Sequence, residues 1–449
     1  MKVAIAGANG FIGRNLIQKI KGQHQVRALG RSESYSDENV EFLKTDLFSY
    51  HSTKEALKDI DIAIYLVHSM LPSSRLFQGN FRDTDLLLAD NFAKACQYNG
   101  VKHIIYLGGL VPTGESSEHL KSRLEVEEVF KTSGIAYTIL RAGMIVGDGG
   151  SSFEILKNLV MNLPAMILPK WTKSRTQVVY IGDLLRVISH LIGNENFFHR
   201  ILNIVNGEDV TYEELIRKTS RRFRKFCPMI PVPINYLKLS KWWVTIFGES
   251  QIELVSPLVD SLKCHLPKVD IEEDIKDLIK IRSYDEMLNL INLRKTKRTS
   301  RKARRKEEKT VRSIQRLDNP NHLEMKELAS TYMKWLPRFI RFIIHVHEEE
   351  GTITFNVFGF KTALLILRYI ENKSNLRRAK FHIVGGILSA SNDTGWLEFR
   401  SVANGKFTLV SINNFRPSLP WYIYCYTQAP IHLFVMRSFS SYLKHLKIS

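Results

Sequence analysis

The sequence has few cysteines. Four occur among 449 residues, they lie far apart, and none belongs to a C-x-x-C pair: Cys96, Cys227, Cys264 and Cys425. Small disulfide-held domains need more cysteines at closer spacing, and a four-cysteine zinc site needs paired ones. The pattern therefore excludes both classes, and we expect reduced thiols in a cytoplasmic protein.

Long hydrophobic runs are missing as well. The longest late apolar stretch, 421–436, contains Gln428 and Pro430, and it is shorter than the roughly 20 residues that a membrane-spanning helix needs. The apolar N-terminus is interrupted at Gly7, too early for the core of a signal peptide. We expect a soluble chain, and contact with a membrane surface stays open.

Acidic residues are scarce relative to basic ones. The chain has 64 Lys and Arg against 45 Asp and Glu, a net charge of +19. Part of the excess is concentrated in the run KTKRTSRKARRKEEK at 295–309. Such a run is typical of a solvated linker, and contact with nucleic acid or anionic lipid is the alternative. Because no aromatic residues are interleaved and no known module surrounds it, we do not expect a nucleic-acid partner.

The first half of the chain alternates short β-branched runs with helical patterns, which is typical of a parallel sheet wrapped by helices. Strands are predicted at 3–6, 26–29, 40–43, 62–67, 103–107 and 136–140. We therefore predict a Rossmann-type, doubly wound α/β domain over 1–293, a basic linker over 294–319, and a smaller α+β domain over 320–449.

The last third has the pattern of an antiparallel sheet followed by a helix. Asn404-Gly405 separates two strand-like runs, 396–402 and 407–412, and this dipeptide strongly favours a hairpin. A second hairpin is predicted from 339–346 and 352–358. A closing helix is predicted from Pro420, with a kink at Pro430. An open, lipid-like pocket of the helix-grip kind would suit such a domain.

The strongest local motif is Gly7-Ala8-Asn9-Gly10-Phe11-Ile12-Gly13. It follows the first predicted strand and opens a helix, where a glycine turn lets the backbone approach a pyrophosphate and the helix N-terminus attracts its charge. We therefore predict a bound dinucleotide with these contacts: Gly7, Asn9, Gly10, Phe11, Ile12 and Gly13.

The end of the second predicted strand indicates which dinucleotide binds. NAD sites usually place a carboxylate about 20 residues after the glycine motif, whereas this chain has Arg31-Ser32 there. A guanidinium can hold a 2′-phosphate that a carboxylate would repel. NADP(H) is therefore favoured over NAD(H). Asp46-Leu47, after the third predicted strand, is expected to meet the adenine.

Several segments carry a family resemblance. They are the GxxGxxG spacing, YLVHSM at 65–70, LGGL at 107–110, HLKSR at 119–123, LRAG at 140–143 and PIHLF at 430–434. With these segments the chain resembles the atypical and extended short-chain dehydrogenase/reductases, near the NmrA-like branch. Within that branch it resembles an enterobacterial family of NAD(P)-binding proteins that carry a C-terminal domain of unknown function. The resemblance implies the fold and the cofactor, and no particular substrate or oligomeric state.

Further cofactor contacts and a location near the membrane are expectations attached to this resemblance. The nominated residues are Val67, His68, Ser69, Gly108 and Arg141. A protein of this kind is expected in the bacterial cytoplasm, with peripheral association with the inner membrane left open.

The Ser-Tyr-Lys set of a working short-chain reductase is not found. The fifth predicted strand ends in Gly108-Gly109 where the serine would stand, and the next helix has His119 and Arg123 at the spacing of Tyr and Lys. His119 could serve as acid or base, and Arg123 could bind ribose or phosphate. The alternative is that both are ordinary polar residues on a half-exposed helix. Ser69 could replace the missing serine.

These observations allow two functions, one enzymatic and one not, and the sequence leaves both open. The first is an NADP(H)-dependent oxidoreductase acting on a small, hydrophobic, lipid-like substrate with His119 and Arg123 in an unusual active site. The second is a non-catalytic, NADPH-binding regulatory or assembly module. No metal is expected, because His345 and His347 share one strand face without a further ligand in view.

Overall fold

The structure is a computed structural model that describes residues 1–31, 38–69, 77–232, 241, 244–248, 252–262, 264–291, 310–340, 344–357, 362–390 and 395–446. The chain forms two compact units. The first comprises Met1–Leu71 and Leu88–Arg301, and the second comprises Pro72–Leu87 and Lys302–Ser449.

The elements are numbered in chain order. The strands are β1 (Lys2–Ala6), β2 (Gln25–Gly30), β3 (Val40–Lys44), β4 (Ile62–Tyr65), β5 (Phe77–Gln78), β6 (His103–Gly109), β7 (Ala136–Ala142), β8 (Met144–Val146), β9 (Met166–Leu168), β10 (Arg175–Tyr180), β11 (Arg200–Ile204), β12 (Asp209–Thr211), β13 (Met229–Pro231), β14 (Val311–Leu317), β15 (Ile344–Glu349), β16 (Thr352–Val357), β17 (Ala363–Tyr369), β18 (Arg378–Gly385), β19 (Trp396–Val402) and β20 (Phe407–Phe415). The helices are α1 (Phe11–Ile20), α2 (Tyr50–Ala56), α3 (Phe81–Tyr98), α4 (Glu118–Lys131), α5 (Ser151–Asn162), α6 (Ile181–Leu191), α7 (Tyr212–Arg222), α8 (Ile252–Ser261), α9 (Tyr284–Asn289), α10 (Met325–Phe339), α11 (Trp421–Tyr426) and α12 (Gln428–His445).

A seven-stranded sheet in the order β11-β7-β6-β4-β1-β2-β3 organises the first unit. All neighbouring strands run parallel. The strand order reverses between β1 and β4, so the crevice at the carboxyl ends of these two strands is where a doubly wound sheet binds its ligand. The predicted fold class of the first half is confirmed.

Both faces of this sheet are buried, which explains the continuous apolar runs of its strands. On one face Leu16 and Ile20 of α1 pack with Val3 and Ile5 of β1, all fully buried. On the other face aromatic rings make edge and tilted contacts, such as Tyr65 with Phe130. Leu16 and Ile20 lie four residues apart and therefore share the helix face that α1 buries.

Smaller sheets extend the first unit beyond β7. Strands β12, β10 and β8 form a three-stranded sheet, and β13 pairs with β9. Helices α5 and α7 pack beside them around a separate apolar core that includes Phe153, Leu159 and Leu215.

The second unit is an antiparallel sheet with helices on one face. Its order is β15-β16-β17-β18-β19-β20-β14-β5, and every described pairing is antiparallel except that of β14 with β5. Helices α10 and α12 cover one face, where the Tyr332 ring contacts Phe399 of the sheet and Phe439, and Phe439 also contacts Trp335. An antiparallel α+β domain was predicted here, and it is confirmed.

Both predicted hairpins are present. β19 and β20 pair on either side of Asn404-Gly405, and both of these residues have positive φ, +52° and +93°. β15 and β16 pair around Glu350-Gly351. The strand predicted at 339–346 begins later, at Ile344, because α10 continues to Phe339.

The closing helix differs from its prediction. It is divided at Thr427, whose ψ is −78°, into α11 and α12, whereas a kink was predicted at Pro430. Pro430 lies in the first turn of α12, where a missing N–H removes no helical hydrogen bond. Across the described chain no helix has both the length and the apolar character to span a membrane.

The units also differ from the predicted domain boundaries. β14 lies inside the predicted linker 294–319, yet it is a strand of the second unit. The segment Pro72–Leu87, predicted within the first domain, belongs to the second unit, and its strand β5 pairs with β14. The basic run 295–309 lies outside the described residues.

Candidate nucleotide-binding and active site

The glycine motif forms the turn between β1 and α1. Gly7 has φ +88°, a conformation that favours glycine. Its N–H donates to Leu29 O at 3.3 Å, and the N–H of Gly10 donates to Gly7 O at 2.9 Å. The turn therefore lies against the carboxyl end of β2, as the dinucleotide prediction requires.

Gly13 permits close contact between α1 and this turn. A Cβ built on Gly13 would lie 2.4 Å from Gly7 O and 2.8 Å from the Cα of Ala8. Real Cβ atoms do not approach backbone this closely, so any other residue would push the helix away from the turn. Gly13 thus has the packing role that the third glycine of such motifs usually has.

The N-terminus of α1 can receive an anion. Its N-cap residue, Gly10, is extended and provides no side-chain cap, and the first turn holds no acidic residue. The N–H groups of Phe11, Ile12 and Gly13 have no acceptor within the helix. Together with the helix dipole they favour a phosphate at this point.

Arg14 stabilises the glycine turn, a role that the sequence analysis did not assign to it. Its Nη1 donates to Asn9 O at 2.6 Å and so ties the turn to the helix. The Asn9 side chain extends toward β2, because a Cβ on Gly30 would lie 2.8 Å from Asn9 Nδ2. Arg14 could have been nominated from the sequence because it is a polar residue that directly follows Gly13, the last glycine of the motif.

Arg31 directly follows β2 and is exposed. It lies at the carboxyl end of that strand, where Leu29 O accepts hydrogen bonds from the N–H groups of Gly7 and Ala8 in the glycine motif. Ser32, nominated with it, lies outside the described residues. The guanidinium is thus attached at the strand end that usually recognises the adenosine ribose.

Asp46 and Leu47 close the turn after β3. Asp46 Oδ1 accepts the N–H of Phe48 at 3.1 Å, and the N–H of Asp46 donates to Ser52 Oγ at 3.2 Å. Leu47 O accepts from Asn91 Nδ2 at 2.9 Å. These contacts hold the turn in shape, and the adenine contact remains a prediction.

His68 and His119 meet at the carboxyl side of β4. His68 Nε2 lies 2.9 Å from His119 Nδ1, and the ring centroids are 4.8 Å apart. Both side chains are half-buried, as are the neighbouring Val67 and Ser69. The sequence named both histidines for separate roles; the structure joins them in one hydrogen-bonded pair.

Arg123 reaches the end of β6 from the same face of α4. Its Nη1 donates to Leu107 O at 3.1 Å, and its own carbonyl accepts the Tyr106 hydroxyl at 3.3 Å. Lys121, between the two nominated helix residues, is exposed and pairs with Glu118 at 3.1 Å. The i, i+4 spacing thus directs His119 and Arg123 to the sheet edge and Lys121 away from it.

Arg141 forms an ion pair with the buried Glu127, and Gly108 lies beside that carboxylate. The guanidinium of Arg141 holds Glu127 through two hydrogen bonds, of 3.1 and 2.7 Å. The Glu127 side chain is only 1% exposed. A Cβ on Gly108 would lie 3.3 Å from Glu127 Oε1, so glycine leaves room for the carboxylate. Cofactor contact by Arg141 and Gly108 remains a prediction beside this observed role.

A second glycine-rich loop lies against the first. It follows β8, and a Cβ on Gly147 would lie 2.9 Å from Phe11 Cζ and 2.6 Å from Ile181 Cγ2. A Cβ on Gly150 would lie 3.0 Å from Phe11 Cε1. The Phe11 ring therefore packs on this loop, while its backbone N–H belongs to the open helix end. The segment GDGG at 147–150 was the sequence signal for this contact.

Comparison with known proteins agrees with this geometry. A family described as NAD(P)H-binding matches residues 7–161. The chain is 31% identical over 122 residues to the auxiliary protein GraX of Staphylococcus aureus, a match that spans 26% of this chain and 40% of GraX. It is 23% identical over 224 residues to the NmrA-like family domain-containing oxidoreductase flvB of Aspergillus flavus, covering 48% of this chain and 69% of that protein.

A solved structure has the same fold. The triphenylmethane reductase of Citrobacter sp., solved in complex with NADP(H), covers 65% of this chain and 99% of its own, with a TM-score of 0.51 and 18% identity. The parallel sheet and its glycine turn thus define a Rossmann-type nucleotide-binding unit. Residues 7–161 thus match a family described as NAD(P)H-binding, and the first unit is similar in sequence to an NmrA-like oxidoreductase.

Proposed function

We propose that the protein binds NADP(H) in preference to NAD(H). The support is the arginine that follows β2 where an NAD site would have a carboxylate. Arg31 is exposed at that strand end. Asp46, the acidic residue after the next strand, accepts the N–H of Phe48. A 2′-phosphate would therefore meet a cation at this edge of the sheet.

We further propose that the protein is an oxidoreductase in which His119 transfers the proton. The observation that carries this proposal is the 2.9 Å contact between His68 Nε2 and His119 Nδ1. If His68 donates in this contact, His119 carries its proton on Nε2 and can deliver it to a substrate oxygen. His119 Nδ1 then takes the shared proton from His68 Nε2 while His68 Nδ1 takes up a proton from solvent, so both rings end neutral and the pair acts as a relay.

Bound NADPH would supply the hydride, which a carbonyl carbon accepts while its oxygen takes the proton. Arg123 acts as a positioning residue, because its guanidinium is held by Leu107 O at the end of β6. The nominated serine replacement, Ser69, follows His68 directly. A hydrophobic, lipid-like substrate stays a prediction, since none of these contacts bears on it.

One observation favours the non-catalytic alternative. The strand end that carries the serine of short-chain reductases reads Gly108-Gly109, and the space beside Gly108 is occupied by Glu127. A site without this hydroxyl lacks the usual polarising contact to a carbonyl oxygen. The alternative is therefore a protein that holds NADPH as a regulatory or assembly signal.

Substitution of the histidine pair tests the proposal. In His119→Gln we expect NADPH affinity within about threefold of the original and a fall in NADPH-dependent turnover of about 100-fold, the usual loss with a general acid. Lys121→Gln, on the exposed side of the same helix, is the matched control. Turnover is measured by NADPH oxidation with a panel of hydrophobic ketones and quinones.

The outcomes separate the two functions. Undiminished turnover in His119→Gln would remove the histidine from the mechanism. Tight NADPH binding in the unaltered protein with no turnover of any carbonyl substrate would support the non-catalytic module instead.

A further inference from the structure

The end of α8 contacts the loop that connects β6 to α4 within the first unit. Helices α4 and α8 pack against each other. Three hydrogen bonds also join the two segments, and their partners run in opposite directions along the chain: Ser117 with Ser261 at 2.8 Å, Glu115 O with the Cys264 thiol at 3.4 Å, and the N–H of Thr113 with His265 O at 3.4 Å. The loop that leads to His119 is therefore held by residues at the end of α8 and just beyond it.

The hydrogen bond between Ser117 and Ser261 has a defined direction. The Ser261 hydroxyl donates to Pro257 O, one turn earlier in α8, at 2.9 Å. A serine hydroxyl has a single proton to donate, so the Ser117 hydroxyl is the donor to Ser261 Oγ. The Ser117 oxygen in turn accepts the N–H of Leu120 at 3.3 Å. These groups thus form a chain of hydrogen bonds that runs from the first turn of α4 into α8.

This chain of hydrogen bonds fixes the turn of α4 that carries His119. Ser117 is the N-cap of α4, and His119 is the second residue of the helix. A capping hydroxyl satisfies one of the free N–H groups at a helix start and stabilises the first turn. Since His119 Nδ1 lies 2.9 Å from His68 Nε2, a displacement of this turn would separate the two rings. Arg123 lies one turn further along and would stay in place, because Leu107 O holds its guanidinium at 3.1 Å.

We propose that Ser261 is a positioning residue for the histidine pair. By accepting the Ser117 hydroxyl, it holds the first turn of α4 so that His119 stays within hydrogen-bonding distance of His68. This role rests on the proposed transfer of a proton by His119. Ser261 lies 144 residues after the capping serine that it supports, so a part of the chain far from the glycine motif contributes to the geometry of the active site.

Substitution of Ser261 tests this role in turnover. Ser261→Ala removes the acceptor, and alanine is the better helix former, so α8 is not weakened. We expect NADPH affinity within about twofold of the original and turnover about tenfold lower, a smaller loss than the roughly 100-fold expected when the acid itself is removed. Ser261→Thr keeps a hydroxyl and should restore most of the turnover.

The matched control is Thr245→Val. The Thr245 hydroxyl also donates to the carbonyl four residues earlier in its own helix, Lys241 O, at 2.7 Å. Its removal therefore deletes the same kind of bond. Turnover and NADPH affinity in Thr245→Val should both stay within about twofold of the original.

A second measurement observes the histidine pair without any reaction. In protein whose histidines carry ¹⁵N, the ring nitrogens of His119 are identified by their loss in His119→Gln. In His68→Gln the His119 ring has lost its partner, so its nitrogen resonances should move. Ser261→Ala should move the His119 resonances toward the same position, whereas Ser261→Thr and Thr245→Val should leave them unchanged.

The outcomes distinguish the positioning role from the function on which it rests. If no variant turns over any substrate but the His119 resonances move in Ser261→Ala, the oxidoreductase fails and the positioning role is supported. Unmoved His119 resonances in Ser261→Ala, or an equal movement in Thr245→Val, would overturn the role. It would also be overturned by undiminished turnover of Ser261→Ala where the original protein is active, or by His119 resonances that do not respond to His68→Gln.

Discussion

The guanidinium of Arg31 lies at the end of β2, the position that usually distinguishes NAD from NADP in nucleotide-binding sheets. A charge-assisted hydrogen bond to a phosphate is worth about 1.5–3 kcal/mol. We therefore expect Arg31→Ala to weaken NADPH binding at least tenfold and to leave NADH binding within about threefold. Lys19→Ala, an exposed change in the last turn of α1, is the control. Fluorescence titration with both cofactors measures the effect, and an equal loss for both would contradict it.

His103 makes the first unit sensitive to acid. It is fully buried, and its Nε2 lies 2.8 Å from Thr138 Oγ1, whose hydroxyl donates to Phe197 O at 2.6 Å. His103 Nε2 must therefore donate, which leaves Nδ1 as a bare acceptor in a neutral ring. Desolvation, aided by His199, lowers the pKa of His103 from 6.5 to about 4.

The direction of the pH effect follows from that shift. Because the unfolded chain binds the proton below pH 6.5 and the folded chain only near pH 4, the stabilisation is complete above pH 6.5 and is lost as pH falls to 4. The full difference is about 3 kcal/mol. His103→Leu should flatten the fall in urea midpoint between pH 7 and pH 4.5. An identical fall in both proteins would show that other groups cause it.

The role of a residue could not be predicted from the sequence where it depends on a partner that is distant along the chain. The glycine positions could be predicted because a backbone turn imposes them locally. Arg141 could not be assigned to Glu127, because the register of α4 against β7 is set by tertiary packing. For the same reason the sequence analysis treated His68 and His119 as two separate residues, whereas the structure places them in one hydrogen-bonded pair.

At the scale of elements, the parallel strands of the first unit were predicted closely because each is a short apolar run buried on both faces. β4 ends at Tyr65, two residues before its prediction. α10 was missed, since an apolar segment ending in Pro337-Arg338-Phe339 reads as a strand boundary, yet Pro337 is tolerated in the last turn of that helix. Packing against the antiparallel sheet decides the outcome there.

The shape of the turn between β1 and α1 should determine how tightly NADPH binds, and substitution of Gly13 tests this. Gly13→Ala would place a Cβ 2.4 Å from Gly7 O, so the turn must open and its N–H groups separate. We expect binding of NADPH to weaken at least tenfold. Gly22→Ala, at the other end of the same helix, meets nothing within 4 Å and should bind within twofold. Calorimetric titration compares the two variants, and equal affinity would show that the turn does not hold the phosphates.

At the scale of the whole molecule, the second unit is not one continuous stretch of sequence. Its sheet includes β5, which lies more than two hundred residues before β14, and Arg316 of β14 pairs with Asp83 of α3 at 2.8 Å. Asp83 is almost fully buried. A boundary drawn from composition could not include this segment, because a two-residue strand has no periodicity to detect.

We therefore expect a fragment of residues 302–449 to fold less stably than the same residues do in the full chain. It lacks β5 and Asp83, so β14 becomes an exposed edge strand and Arg316 loses its ion-pair partner. Hydrogen exchange read by mass spectrometry should show faster exchange of β14 in the fragment than in the full chain. The hairpin of β15 and β16, at the opposite edge of the sheet, serves as the internal control and should exchange alike in both. Equal protection of β14 in the two proteins would mean that the C-terminal segment folds without the contribution of the first half.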